Sequence, residues 1–105
     1  WLVTLEMIAT KIGSFALKDF TWEIMNGKAK IKKVPLGRGI VDLDGFFKSI
    51  KRMNIVAPIT LHIEYPLLKE HDDKLSLIQK QKIIVTKIQN DVRFIRSKLR
   101  QYELI

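Results

Sequence analysis

The sequence has no cysteine. Disulfides and thiolate metal sites are therefore excluded, while the compartment stays open, because secreted proteins can also lack cysteine. No apolar run approaches the roughly 20 residues that a membrane-spanning helix needs, and no secretory leader is visible. The chain opens at Trp1, inside an apolar helical pattern, so the natural N-terminus is expected to lie upstream. Acidic residues are also in short supply, with 11 against 19 basic ones and a net charge of +8. The basic side chains are spread along the chain rather than clustered among aromatics. That distribution predicts a solvated lysine-rich surface, or a fragment whose acidic portion is missing, ahead of a nucleic-acid surface.

What is present suits one small domain. The 105 residues are 47% hydrophobic and 29% charged, an ordinary globular mix. Leu2, Leu5, Ile8, Ala9 and Ile12 recur at three- and four-residue spacing and predict a helix over about 2–12. Phe15 and Leu17 alternate with Ala16 and Lys18 and predict a strand over about 14–20. Asn26-Gly27 lies between two short alternating runs. It is a hairpin signal, because a type I′ turn needs positive φ at both central residues. Pro35-Leu36-Gly37-Arg38-Gly39 reads as a tight turn whose glycines allow close approach to another group.

Asp42 or Asp44 can cap the next helix, over about 43–53, with Phe46, Phe47, Ile50 and Met53 on its apolar face. Asn54 suits a left-handed C-terminal cap. The clearest strand covers about 59–65. Ile59, Leu61, Ile63 and Tyr65 point one way; Thr60, His62 and Glu64 point the other. Pro58 and Pro66 flank it. A long helix over about 75–102 carries the seam Ile84, Ile88, Val92, Ile95, Leu99 and Tyr102, expected to pack on one side of a sheet. Strand, crossover helix, strand implies a parallel pair in an α/β fold.

The motifs Ala16-Leu17-Lys18-Asp19-Phe20, Pro35-Leu36-Gly37-Arg38-Gly39-Ile40-Val41-Asp42 and Ile59-Thr60-Leu61-His62-Ile63-Glu64-Tyr65, in that order, carry a resemblance. The chain resembles the C-terminal part of the sugar phosphate isomerase/epimerase family, the xylose-isomerase-like (β/α)8 TIM barrels. The resemblance implies a partial barrel, with residues 1–105 as its last two βα units. It also implies a missing N-terminal barrel half, or further copies in a homo-oligomer, to cover the open edges.

In such a family a divalent metal (manganese, magnesium or cobalt) and carboxylates move a proton beside the carbonyl of a sugar or sugar phosphate. Glu64 falls at the family's final-strand glutamate, both catalytic and a metal ligand. The family's ligand histidine falls at Ala16, which cannot bind metal. Lys18, His62, Arg38 and Trp22 are the candidate substrate contacts. His71, in Glu70-His71-Asp72-Asp73, is expected to be solvated. The resemblance implies an isomerase or epimerase that is inactive as this chain alone. Separately, the sequence favours a cytoplasmic location, disfavours a nucleic-acid partner because its lysines are dispersed, and offers no run that would span a membrane. The alternatives are a basic nucleic-acid or protein interaction module and an endonuclease IV-like nuclease fragment of the same superfamily.

Overall fold

A computed structural model describes residues 1–105. Three helices, a small parallel sheet and a separate antiparallel hairpin make a mixed α/β fold. In chain order the elements are α1 (Leu2–Ile8), β1 (Phe15–Leu17), β2 (Asp19–Met25), β3 (Lys28–Val34), α2 (Leu43–Arg52), β4 (Ile59–Leu61) and α3 (Leu77–Gln101). Short 3-10 turns follow α1 at Ala9–Lys11 and precede α3 at Glu70–Lys74.

β1 and β4 are parallel, with Ala16 opposite Thr60. The bonds Phe15 N–H to Pro58 O (2.9 Å) and His62 N–H to Leu17 O (2.8 Å) extend this ladder at both ends. α2 crosses over between the two strands. Phe15, Leu17, Ile59 and Leu61 turn toward the helices. Leu17 joins Leu5, Leu36, Leu43, Phe47, Ile50 and Ile95 in the core, and Phe47 is fully enclosed at its centre. The other face of the pair carries Ala16, Lys18, Thr60, His62 and Glu64, each exposed to solvent. The alternation read from 59–65 thus assigns the two sides, although ladder pairing stops at Leu61.

The expected strand over 14–20 is interrupted at Lys18. Its last two residues begin β2 instead, because the chain there pairs with β3 rather than with β4. Asn26 and Gly27 take φ values of 51° and 70°, both left-handed, and turn the hairpin tightly. Register then puts Phe20, Trp22 and Ile24 on one face with Lys33, Ile31 and Ala29. Lys28, Lys30 and Lys32 lie on the reverse with Met25, Glu23 and Thr21.

Helix ends follow their side chains. The Asp42 carboxylate accepts from Gly45 N–H at 2.8 Å and starts α2. Asn54, at φ 52°, ends it, and Ile55 N–H reaches back to Ile50 O. Ser76 and Gln79 form a reciprocal capping box at the start of α3. α1 is shorter than its apolar spacing predicts: it tightens into a 3-10 turn after Ile8 and buries only Leu5. Along α3 the seam splits. Val92, Ile95, Leu99 and Tyr102 pack, whereas Ile84 is half-buried and Ile88 stays exposed, as do Leu77, Ile78 and Val85 outside the seam.

Candidate functional site

Lys18 immediately follows β1, and Glu64 stands just past β4. Because these strands are parallel neighbours, both side chains emerge at the same C-terminal end, on the face away from the helices. Lys18 Nζ donates to Glu64 Oε1 at 3.1 Å. A second ammonium, from Lys33, pairs with Glu64 Oε2. Lys33 arrives because the hairpin register sets it opposite Phe20, two residues past Lys18. His62 Nδ1 lies 3.7 Å from Glu64 Oε1, close enough to add a third positive charge when protonated.

Each carboxylate oxygen therefore has its own lysine. Lys33, then Lys18, holds the Glu64 carboxyl down at about 2, against 4.5 for an ordinary glutamate. Glu64 is fixed in its ionised form and is a weak base as it stands.

The sequence candidates fall into two places. Lys18, His62 and Glu64 come together, with Ala16 one layer below Lys18 on the same face. Trp22 does not join the ion cluster. It lies along the Lys33 face of the hairpin, its ring edge-on to Phe20 at 6.0 Å between centroids. Arg38 lies apart too, lining a cavity of about 300 Å³ with Tyr65, Lys87 and Asp91. At the base of that cavity the Tyr65 hydroxyl donates to Asp91 Oδ2 at 2.8 Å, with both residues buried. Burial and the adjacent Asp91 raise the Tyr65 phenol well above its usual range.

The glycine turn closes on the chain itself. The carboxylate of Asp19, 3% exposed, accepts from Gly37 N–H (3.0 Å) and Gly39 N–H (2.9 Å) through Oδ2. Through Oδ1 it accepts from Phe20 N–H (2.8 Å) and Val41 N–H (3.2 Å). A Cβ on Gly39 would collide with this carboxylate and with Phe20 O, so the close approach that Gly39 allows is to Asp19. Gly37 has φ 77°, and the Phe94 ring covers it. The Asp19 knot holds the turn above the C-terminal end of β1 and fixes Arg38 at its tip.

A second ion cluster ties α2 to α3. Asp44 Oδ1 accepts from Lys98 Nζ and from the Tyr102 hydroxyl, both at 2.7 Å. Lys98 first, and then Tyr102, lowers the Asp44 carboxyl. The Tyr102 ring stacks on Phe47, so this cluster reads as a clamp over the core.

Lys33, Asp19 and Asp91 were not singled out from the sequence. A signal for Lys33 was present: counting outward from Asn26-Gly27 places it opposite Phe20. Asp91 shows up only as a polar residue one place before Val92 in an apolar seam. His71 is exposed as expected, although Glu70–Lys74 forms a 3-10 turn and not irregular chain.

The donor set does not fit a divalent cation. No group of three or more His, Asp or Glu side chains is arranged to hold one. Glu64 and His62 are the two donors at hand, Ala16 offers none, and both Glu64 oxygens are engaged by ammonium groups. Hard cations take about six oxygen ligands or more. No helix is long and apolar enough to cross a membrane. Comparisons of the chain with models of protein families, with curated proteins and with solved structures return no match.

Proposed function

We propose that this chain supplies the last two βα units of a (β/α)8 barrel of the xylose-isomerase-like sugar isomerase/epimerase kind. In this reading Glu64 is the carboxylate that exchanges a proton beside a sugar carbonyl. The observation that carries the reading is the placement of Glu64. It stands just beyond the C-terminal end of a strand in a parallel β-α-β unit, on the face opposite the helices, where barrel chemistry is sited.

The two lysines supply the anion chemistry. A sugar phosphate competes with Glu64 for Lys18 and Lys33. As the ammonium groups turn to the phosphate, the Glu64 carboxyl rises from about 2 toward 4.5 and becomes a better base. Binding the correct substrate thereby switches on the base. Arg38, at the tip of the turn above β1, offers a third cation for the anionic end of the substrate. Any manganese, magnesium or cobalt in such a barrel relies on ligands from the other units.

Solvent-proton exchange tests this. A panel of ketose and aldose phosphates is incubated in deuterium oxide with the 105-residue chain, and separately with a complete barrel that contains it. Exchange beside the carbonyl is expected from the barrel alone and is lost on Glu64→Gln. Glu64-dependent exchange by the short chain would show that the other units are not needed. A barrel whose exchange survives Glu64→Gln would remove Glu64 from the chemistry.

One observation favours a second reading. Lys28, Lys30 and Lys32 form a row on one face of the hairpin, as a basic interaction module would. Binding to mixed-sequence DNA that weakens steeply with salt would support it.

A further inference from the structure

We infer that the Trp22 face of the β2–β3 hairpin is a self-association surface that seats a second copy of this chain. The hairpin has one apolar side and one basic side. Trp22 pairs across the ladder with Ile31, and Ile24 with Ala29. Through Phe20, which touches Trp22, the surface continues to Trp1 and Ile40 around a shallow cavity of about 350 Å³. Trp1, Trp22, Ile24, Ile31 and Ile40 are each more than half exposed, Ile24 most of all at 72%.

Three features select a second copy and this face. The first is area. At about 150–250 Å² for a fully exposed large side chain, the five residues offer roughly 600 Å² per copy. Two copies would bury about 1,200 Å², the lower bound of a specific interface.

The second is charge. A chain of net charge +8 resists self-association unless the contact is neutral. Lys28, Lys30 and Lys32 all point to the reverse face, and Lys33 is held by Glu64. The third is the strand edge. β3 reads Lys28-Ala29-Lys30-Ile31-Lys32-Lys33, and lysines along an edge block strand-to-strand pairing between molecules. Association through the β3 edge is therefore disfavoured, which leaves the apolar face as the larger neutral surface of the hairpin. Tryptophan at the centre of a charge-depleted patch is the usual composition of an interface core.

Sedimentation from about 1 µM to about 500 µM tests the inference over the range expected of a minimal interface. The mass is expected to rise from 12.3 kDa toward twice that value, with a blue shift in tryptophan emission along the same curve. Ile24→Lys and Ile31→Thr, both exposed and both retaining the far-ultraviolet spectrum, are expected to weaken association at least about tenfold. Lys30→Gln, on the reverse face, should leave it intact. A chain that stays at 12.3 kDa throughout overturns the inference. So does association that both face variants leave unchanged, because another surface, such as the apolar groove between β4 and α3, would then be responsible.

Discussion

Replacing Asp19 by asparagine tests what holds the Gly37–Gly39 turn in place. The two side chains have the same shape, so packing is preserved. Asp19 accepts four backbone N–H groups, two on each oxygen. Asparagine keeps one oxygen and sets an NH2 group against the other pair of donors. Two part-buried N–H groups then lose their acceptor, at up to about 1–3 kcal/mol each, and the remaining two bonds lose their charge assistance.

A loss of about 3–5 kcal/mol follows, a large share of the roughly 5–15 kcal/mol available to a domain. In urea the midpoint should fall by about 2 M at a slope of about 2 kcal/mol/M. Amide exchange should quicken first at Gly37, Gly39 and Val41, whose N–H groups bond to the carboxylate. A midpoint within about 0.3 M of the wild type, or a loss shared evenly over all amides, would refute the assignment of Asp19 as the turn's anchor.

Tyr65→Phe removes the one hydroxyl that meets Asp91 and leaves that carboxylate buried without its donor. It should cost about 2–3 kcal/mol in urea unfolding, and a loss under about 0.5 kcal/mol would show that Asp91 draws its stability from elsewhere. Phe47→Ala empties the fully enclosed centre of the core and frees one face of the Tyr102 ring. Its expected cost is about 3–5 kcal/mol by thermal or urea unfolding. Glu64 has its carboxyl lowered on folding, so its ion pairs stabilise the fold above the ordinary value of 4.5. That stability is lost as pH falls through about 2. Stability followed from pH 5 to pH 2 should therefore fall less steeply for Glu64→Gln than for the wild type.

The β-α-β core was legible because each element announces itself locally. Ile59, Leu61 and Ile63 alternate with Thr60, His62 and Glu64; Asp42 starts α2 and Asn54 ends it; Asn26-Gly27 turns the hairpin. Each signal depends on residues close together in sequence. What was harder to read depends on residues far apart. Asp19 meets Gly37 and Gly39 across an intervening hairpin, and the glycines alone carried no sign of whether they admit a ligand or a carboxylate. Tyr65 finds Asp91 only once α3 is docked. Lys33 sits in a lysine-rich strand where nothing local marks it off from Lys30 or Lys32, and the hairpin register alone brings it to Glu64. The strand break at Lys18 has the same origin: a run of extended residues does not say which partner each half will pair with.

The most direct test of Glu64's role is a carboxyl carbon NMR titration, with and without a ketose phosphate. In the free chain the midpoint should lie at about 2, held there by Lys33 and Lys18. With the sugar phosphate bound, it should climb toward 4.5 as the lysines turn to the phosphate. A midpoint already near 4.5 in the free chain, or one that a saturating sugar phosphate leaves in place, would contradict the proposed switch of Glu64 from ion-pair partner to base.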